Sequence, residues 1–515
     1  MRWEFYGAMI LLVSMPLYSR ALAAEESNTP NSSDAIFKRT THFSSDEGSS
    51  RGVAWGDYDN DGFVDLVVSN TDDQPLFLYH NNKGKSFKRV IEGELGAFRG
   101  YSEGVNWVDY NNDGWLDLFV STTVGPNLLF RNVEGVSFEK IIGDELTSVD
   151  INTSMACWED FNQDGFLDVF LATRGEKPDM LFQNLQGKKF VQVATAFSKV
   201  ATDARTCAAA DFNGDGLPDI YIGAFLRAMA DGSERKSPNS LFFNGRDMNF
   251  RHVQNGHAVN YPTLTYGAVP VDYDHDGDID LFQTNIGSVD HNVLYENIEN
   301  SALYPRFDLP LSIDSYGPSK GATWGDFDLD GDLDLFVAEG TEGLSEEDAP
   351  YDVLNKLYLG ENDGYLRMSS GALVEDYNIS AGAATADFDN DGDLDLFVAN
   401  WGDGGEINVL YENVSTGNWV RFLPQGVKSN RMGAGVRVTI EYESHGELKN
   451  QSRNRFLQTG YASENENELH FGLSSAEKIL KACVYWPSGE RQCDQNLDIN
   501  NVYTVDQSGR FSSRD

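Results

Sequence analysis

Along most of this chain, apolar positions fall in short runs bounded by turn residues rather than at helical spacing. The runs LVVSN, LFVST, VFLAT, IYIGA, LFQTN, LFVAE and LFVAN, starting at Leu66, Leu118, Val169, Ile220, Leu281, Leu335 and Leu396, read as strands. Each is preceded, across a short acidic stretch, by a run of small and apolar residues such as GVAW, ACW, CAAA or GATW. A third strand follows in each unit (LFLYHN, NLLFRN, NVLYEN), and in most units a fourth (SFKRVI, SFEKII, KFVQVA, NFRHVQ). Four strands in a period of about 50 residues, repeated seven times, is the pattern of a β-propeller blade. The segment Ile36-Phe37-Lys38-Arg39-Thr40 resembles the fourth strands but precedes the first unit, whereas the last unit is followed by unrelated sequence. It is therefore expected to complete the last blade and close the ring without a free edge.

The acidic stretches carry the chemistry. Nonapeptides start at Asp57, Asp109, Asp160, Asp211, Asp272, Asp326 and Asp387, with spacings of 52, 51, 51, 61, 54 and 61 residues. Positions 1, 3, 5 and 9 are Asp57, Asp59, Asp61 and Asp65 in the first and Asp109, Asn111, Asp113 and Asp117 in the second. They are Asp160, Asn162, Asp164 and Asp168 in the third and Asp211, Asn213, Asp215 and Asp219 in the fourth. The last three carry Asp272, Asp274, Asp276 and Asp280; Asp326, Asp328, Asp330 and Asp334; and Asp387, Asp389, Asp391 and Asp395. Alternate residues of a tight loop point inward, the carbonyl at position 7 joins them, and glycine at position 6 permits the turn, so oxygens converge on one point. Such a cage suits a hard cation, and calcium better than magnesium, which demands a stricter octahedron. Position 12 is apolar (Val68, Val120, Leu171) and lies in a strand, which rules out an EF-hand. Up to seven structural calcium ions are expected, bound more weakly where Asn111, Asn162 and Asn213 reduce the ligand charge.

Charge agrees with that reading. Acidic residues outnumber basic ones 81 to 39 for a formal charge of -42, which excludes nucleic-acid backbones as partners and makes cations the natural ones. Residues 1–23, with an apolar run from Tyr6 to Leu17 and the small-residue pattern Ala21-Leu22-Ala23, read as a signal peptide followed by a linker over 24–35. The run is too short to span a bilayer, and no stable membrane insertion is expected.

The nonapeptide repeats resemble the FG-GAP/VCBS repeats of integrin-α-type propellers. After Asn418 a β-rich segment carries Gly433-Ala434-Gly435, Gly460-Tyr461, the HFGL run from His470 and the WPSG run from Trp486, which resembles the ASPIC/UnbV domain. The combination is similar to the cartilage acidic protein family and its bacterial relatives. The expected fold is all-β: a seven-bladed propeller over 36–417, a small antiparallel β module over 418–507 and a tail over 508–515. The resemblance implies an exported protein, extracellular or periplasmic, acting in binding or adhesion.

Cys483 and Cys493 flank the Pro487-Ser488-Gly489 turn symmetrically and are expected to form a disulfide. Cys157 and Cys207 stand three and four residues before their loops, and this opposite parity speaks against a bridge between them. Long insertions, Ala224 to Asn239 and Glu339 to Asn355, follow second strands and so emerge on one face. Arg174, Arg227, Arg235, Lys236, His291 and Trp401 are the ligand-face candidates there, for an extracellular protein or glycan. No G-x-S-x-G, Walker, H-E-x-x-H or G-x-G-x-x-G motif is present, and no catalytic residue is assigned. The second reading is a calcium-stabilised enzyme of lyase, cyclase or transferase type, on the propeller face or at its junction with the C-terminal module; perturbed titratable groups at that junction would favour it. The oligomeric state is left open.

Overall fold

In a computed structural model, the protein is described over residues 36–514 except 44, 200–201, 229–233, 287–289, 301–302, 306–316, 341–353, 362–363, 369 and 403–404. The signal peptide and linker expected over 1–35, and most of the second insertion, lie outside the described residues.

Among the described residues, seven four-stranded antiparallel sheets follow one another along the chain. The first blade runs Ser50–Gly56, Asp65–Asn70, Phe77–Asn81 and Phe87–Val90, with the acidic nonapeptide joining its first two strands. Inner strands of neighbouring blades lie side by side around a ring, and the seventh, Ser380–Ala386, packs against the first, Ser50–Gly56. Ring closure on the outer side comes from Phe37–Arg39, which pairs antiparallel with Val409–Asn413 of the seventh blade. Position-2 aromatics of the loops pack between blades: Tyr58, Tyr110, Phe161, Phe212, Phe327 and Phe388 are buried and Tyr273 partly so. The sequence forms these sheets because inner strands are small and apolar on both faces, as required where two blades press on every strand.

From Asn418 the chain builds two further four-stranded sheets around one core that includes Val420, Phe422, Val438, Ile440, Phe471 and Val484. The module is not wholly antiparallel, since Asn418–Gln425 pairs in parallel with Val502–Asp506. Residues 508–515 are not merely a tail either: Arg510–Ser513 forms the edge strand beside Val502–Asp506.

Residues 455–468, between two strands of this module, enter the propeller's central channel and meet inner strands of all but one of its blades through hydrogen bonds. Val53 N–H donates to Ser463 Oγ at 3.3 Å and Val53 O accepts from Glu464 N at 2.8 Å. Trp107 N–H donates to Glu464 Oε2 at 3.0 Å, and Ala268 N–H to Gly460 O at 3.2 Å. Gln458 Nε2 donates to Ala209 O at 3.0 Å, Thr459 Oγ1 to Ala322 O at 3.2 Å and Glu466 N to Thr385 O at 3.0 Å. Glycines make room for it: a Cβ on Gly52 would sit 2.0 Å from Ala462 O, and one on Gly382 2.5 Å from Ser463 Oγ.

Both cysteine pairs are bridged, and Cys157–Cys207 corrects the sequence reading. Blades stack so that the forward face of one meets the backward face of the next. Cys157 packs with Met155 on the forward face of the third blade, and Cys207 with Ala209 on the backward face of the fourth, in one cluster. Equivalent positions on consecutive blades point the same way round the ring, so opposite parity is the condition for a bridge. Replacing both of these cysteines by serine is expected to cost about 4 kcal/mol on a chain-entropy estimate, against about 3 kcal/mol for the Cys483–Cys493 pair. The order follows from loops of 50 and 10 residues, and denaturation midpoints of the two double variants check it.

Candidate metal centres

Each acidic nonapeptide turns back on itself through its own carboxylates. In the first, Asp57 Oδ1 accepts from Asp61 N at 3.0 Å and Oδ2 from Gly62 N at 2.9 Å, while Asp61 Oδ1 accepts from Phe63 N at 3.0 Å. Gly62 has φ +93°, a conformation that favours glycine, with the residue before the pair, Asn60, also left-handed at 58°. Asp65 is fully buried, with Oδ1 accepting from Asn81 N at 2.8 Å and Oδ2 from Tyr58 N at 3.2 Å. The other loops repeat the pattern, as in Gly114 N to Asp109 Oδ2 at 2.9 Å, Gly165 N to Asp160 Oδ2 at 2.9 Å and Gly392 N to Asp387 Oδ2 at 2.9 Å.

Carboxylate oxygens of Asp57, Asp59 and Asp61 all lie within 4.8 Å of one another, as do those of Asp272, Asp274 and Asp276; of Asp326, Asp328 and Asp334; and of Asp387, Asp389 and Asp395. These clusters can hold a metal ion. Buried oxygens without a hydrogen-bond partner support the fit: Asp59 Oδ1, Asp117 Oδ2, Asp168 Oδ2, Asp272 Oδ2 and Asp326 Oδ1. In the asparagine loops, the amide can quiet a carboxylate instead, since Asn213 Nδ2 donates to Asp219 Oδ1 at 3.3 Å and Asn162 Nδ2 to Asp164 Oδ2 at 3.1 Å. Burial, reinforced by neighbouring carboxylates, pushes Asp65 and Asp280 up to about 9 and Asp117 and Asp219 up to about 8. The same causes hold Asp168, Asp334 and Asp395 well above the usual carboxylate range. Without a compensating cation these groups keep their protons at neutral pH.

An asparagine at the end of the third strand was missed as a functional residue. Asn81, Asn132, Asn184, Asn244, Asn297 and Asn413 each donate a backbone N–H to the position-9 aspartate, at 2.7 to 2.9 Å. Their side-chain amides reach back to the position-2 carbonyl of the preceding blade's loop: Asn132 to Tyr58 O at 2.8 Å, Asn184 to Tyr110 O at 2.7 Å, and Asn81 to Phe388 O at 2.8 Å across the closure. The recurrent final asparagine of LFLYHN, NLLFRN, DMLFQN and NVLYEN was the available signal. Loops also join directly, because Asn60 donates to Gly114 O at 3.2 Å, Asn112 to Gly165 O at 2.9 Å, Gln163 to Gly216 O at 2.6 Å and Asn390 to Gly62 O at 3.0 Å.

The C-terminal module sits on this face. Arg421 Nη2 lies 3.2 Å from Asp387 Oδ2, Arg431 Nε 3.4 Å from Asp109 Oδ2, and Gly472 N donates to Asp326 Oδ2 at 2.9 Å. In each case the module contacts Oδ2 of the position-1 aspartate, the oxygen that also accepts the N–H of the loop's glycine. His470 Nε2 donates to Gly392 O at 2.9 Å and is pushed down to about 3 by burial. At the same junction, burial drives Glu159, Glu464 and Glu466 up to about 8, opposed by Arg455 for the first two and Arg421 for the third. A cavity of about 130 Å³ there is lined by Trp324, Arg455, Gln458, Glu466, Glu468 and His470, among others.

All six ligand-face candidates follow second strands, on the face away from the loops, but they form two groups. Arg174 Nη2 pairs with Glu103 and lies 3.2 Å from Tyr461 Oη, at the tip of the channel segment. Trp401 packs in the same apolar cluster as Tyr461, with the Arg51 guanidinium 4.4 Å and Lys320 Nζ 5.0 Å from its ring centre. Arg227 and Arg235 are backbone partners in the register of the hairpin Leu226–Ala228/Glu234–Lys236, Arg235 is exposed, and Lys236 pairs with Asp290 at 2.6 Å, beside His291.

The family model for the FG-GAP-like repeat matches residues 57–120, 160–222 and 326–398, and that for ASPIC and UnbV matches 426–510. Cartilage acidic protein 1 of Homo sapiens is 23% identical over 501 residues, covering 88% of this chain and 71% of the relative. Its Mus musculus counterpart is 23% identical over 483 residues, covering 85% and 70%. A solved structure described as showing recognition of non-reducing terminal N-acetylglucosamine by an Agrocybe aegerita lectin aligns with TM-score 0.41 and 14% identity, over 65% of this chain and 81% of that one. That likeness is too slight to weigh on function.

Replacing Asn132 by alanine keeps the backbone N–H to Asp117 but removes the side-chain donor to Tyr58 O and Leu116 O, and is expected to destabilise by about 1–3 kcal/mol, read from denaturation midpoints. For the position-9 carboxylates, the native state binds more protons than the unfolded chain between the ordinary pKa near 3.8 and the raised one near 9. Their contribution is therefore fully present below the lower value and is lost as pH rises. Melting temperatures of cation-stripped protein should fall from pH 5 to pH 8, and divalent cation added at pH 7 should release protons, detectable by calorimetry in buffers of different ionisation enthalpy.

Proposed function

We propose that this chain, which carries FG-GAP-like repeats followed by an ASPIC/UnbV domain and is homologous to cartilage acidic protein 1, is an exported calcium-binding propeller that binds an extracellular protein or glycan on its open face. The observation that carries the reading is the division of the two faces. The loop face is covered by the C-terminal module, whereas the opposite face presents the partly exposed Arg174, Arg205 and Trp401 over Arg51, Lys320, Tyr266 and Tyr461, which are buried beneath them. On a chain of formal charge -42, this is a local concentration of cationic and aromatic groups, suited to anionic or hydroxyl-rich ligands. Calcium belongs to the proposal through the loops' hard oxygen donors and acts as a structural ion. Export would remove residues 1–23, leaving a propeller over 36–417 and the C-terminal module after it.

A second reading is favoured by one observation, the buried acids Glu159, Glu464 and Glu466, raised to about 8, beside Arg455 at the junction. Groups of this kind can hold and give up protons near neutral pH, and the adjoining cavity of about 130 Å³ has room for a small substrate or for water. The same groups also anchor residues 455–468 in the channel, which ties them first to structure.

Binding is tested by arrays of glycans and extracellular-matrix proteins probed in calcium and after chelation. Calcium-dependent capture that is lost in Trp401→Ala and Arg174→Ala is expected; Arg174→Ala also leaves the buried Glu103 without its partner, so capture is compared below that variant's lowered melting temperature. Capture insensitive to both substitutions would remove the open face from the proposal. Calcium should raise the melting temperature more than magnesium does, and the loops with Asn111, Asn162 and Asn213 should release it first, seen as sequential steps in a chelator titration.

A further inference from the structure

The residue just before the third-strand asparagine differs from blade to blade: His80, Arg131, Gln183, Phe243, Glu296, Leu359 and Glu412. The position acts on the metal loop of its own blade, since Glu296 bears on Asp274 and Glu412 on Asp389 electrostatically. Only in the first blade does it offer a nitrogen with a lone pair on an aromatic ring. His80 Nδ1 lies 3.2 Å from Asp65 Oδ1 and 3.3 Å from Asp59 Oδ2. Ligand atoms of Asp59, Asp65 and His80 all fall within 4.8 Å of one another.

Two observations set this trio apart from an ion pair. First, His80 Nδ1 is buried and makes no hydrogen bond, even though two carboxylate oxygens stand within reach, and Asp59 Oδ1 is likewise buried without a partner. The ring nitrogen is thus close to both oxygens without the alignment of an N–H donor. Second, the two separations from His80 Nδ1 suit donors that share a small ion. Bonds of about 2.0–2.1 Å to a tetrahedral metal place its ligand atoms roughly 3.3–3.4 Å apart.

We propose that the first blade's loop takes a first-row transition-metal ion, such as Zn²⁺, through Asp59, Asp65 and His80 in place of calcium. Imidazole nitrogen favours these ions over calcium, which takes oxygen ligands, and three protein donors leave positions open to water or a ligand. The inference rests on the reading of the nonapeptide loops as cation sites.

The test uses the full chain, stripped with chelator and reloaded in excess calcium with Co²⁺ as a visible-absorbing probe. One equivalent of Co²⁺ is expected to remain through gel filtration with its visible bands, and to be lost in His80→Gln. That substitution places the third blade's own residue, Gln183, in the equivalent position, so the strand tolerates it. His252→Gln, at an exposed histidine remote from the loops in sequence, should leave the bound Co²⁺ unchanged. Complete displacement of Co²⁺ by calcium, retention in His80→Gln, or loss in His252→Gln overturns the proposal. Calcium-dependent melting, followed in His80→Gln, reports separately on the loops as calcium sites: its absence would strike that broader reading, and its presence with lost Co²⁺ supports the specific one.

Discussion

The buried aspartate at the ninth position of each loop is the constraint on which the ring depends. Asp65, Asp117, Asp168, Asp219, Asp280, Asp334 and Asp395 are all essentially removed from water, where an ionised carboxylate is unfavourable without compensating charge. Two backbone N–H groups answer part of that demand, one from position 2 of the loop and one from the third strand. The remainder is met by a proton or by a cation, and the loop's other carboxylates stand where a cation could be held. Neutralising the loop and fixing the third strand to the second are therefore one event within a blade.

That event extends beyond the blade because the third-strand asparagine has two ends. Its backbone serves the buried aspartate of its own loop, and its amide serves the preceding loop's position-2 carbonyl, whose aromatic side chain fills the gap between blades. Position-4 amides then join one loop to the next, and arginines of the C-terminal module approach Oδ2 of two position-1 aspartates, Asp387 and Asp109. Charge in the loops, blade packing and module docking form a coupled network, so a change in one should be felt in the others.

Much of this was legible before the fold was seen, and the reason is periodicity. Seven copies of the loop, with strand-like runs at constant offsets, define blade, loop and closing strand from residue types alone, as Phe37–Arg39 beside Val409–Asn413 shows. Contacts that break the repeat left no such trace. Residues 455–468 carry Arg455, Gln458, Glu464 and Glu466, a composition that reads as an exposed loop; they are buried because their partners are backbone groups around the channel, invisible in a hydrophobic pattern. Cys157–Cys207 was misjudged because parity was referred to one sheet rather than to two facing sheets. His80 was passed over because its neighbours Asp59 and Asp65 are brought to it by the hairpin, not by sequence spacing.

The sixth blade shows how the C-terminal module and the propeller depend on each other. It has Gly360 where six blades have the asparagine, so its backbone still donates to Asp334 at 2.7 Å but the amide that reaches the preceding loop in those blades is missing. Its loop is also the one most enclosed by the C-terminal module. Gly472 N donates to Asp326, Arg453 lies 3.9 Å away, and a Cβ on Gly331 would meet Tyr442 Oη at 2.7 Å. A fully buried Lys356–Glu339 pair at 2.6 Å stands at the far end of the same blade, where most other blades place neutral groups. A buried ion pair is costly unless its surroundings are held in place. The blade that lacks the common inter-blade tie is thus held by contacts from outside the ring, and the module that supplies them also fills the channel. Loss of the module would on this account fall first on the sixth blade rather than evenly on all of them.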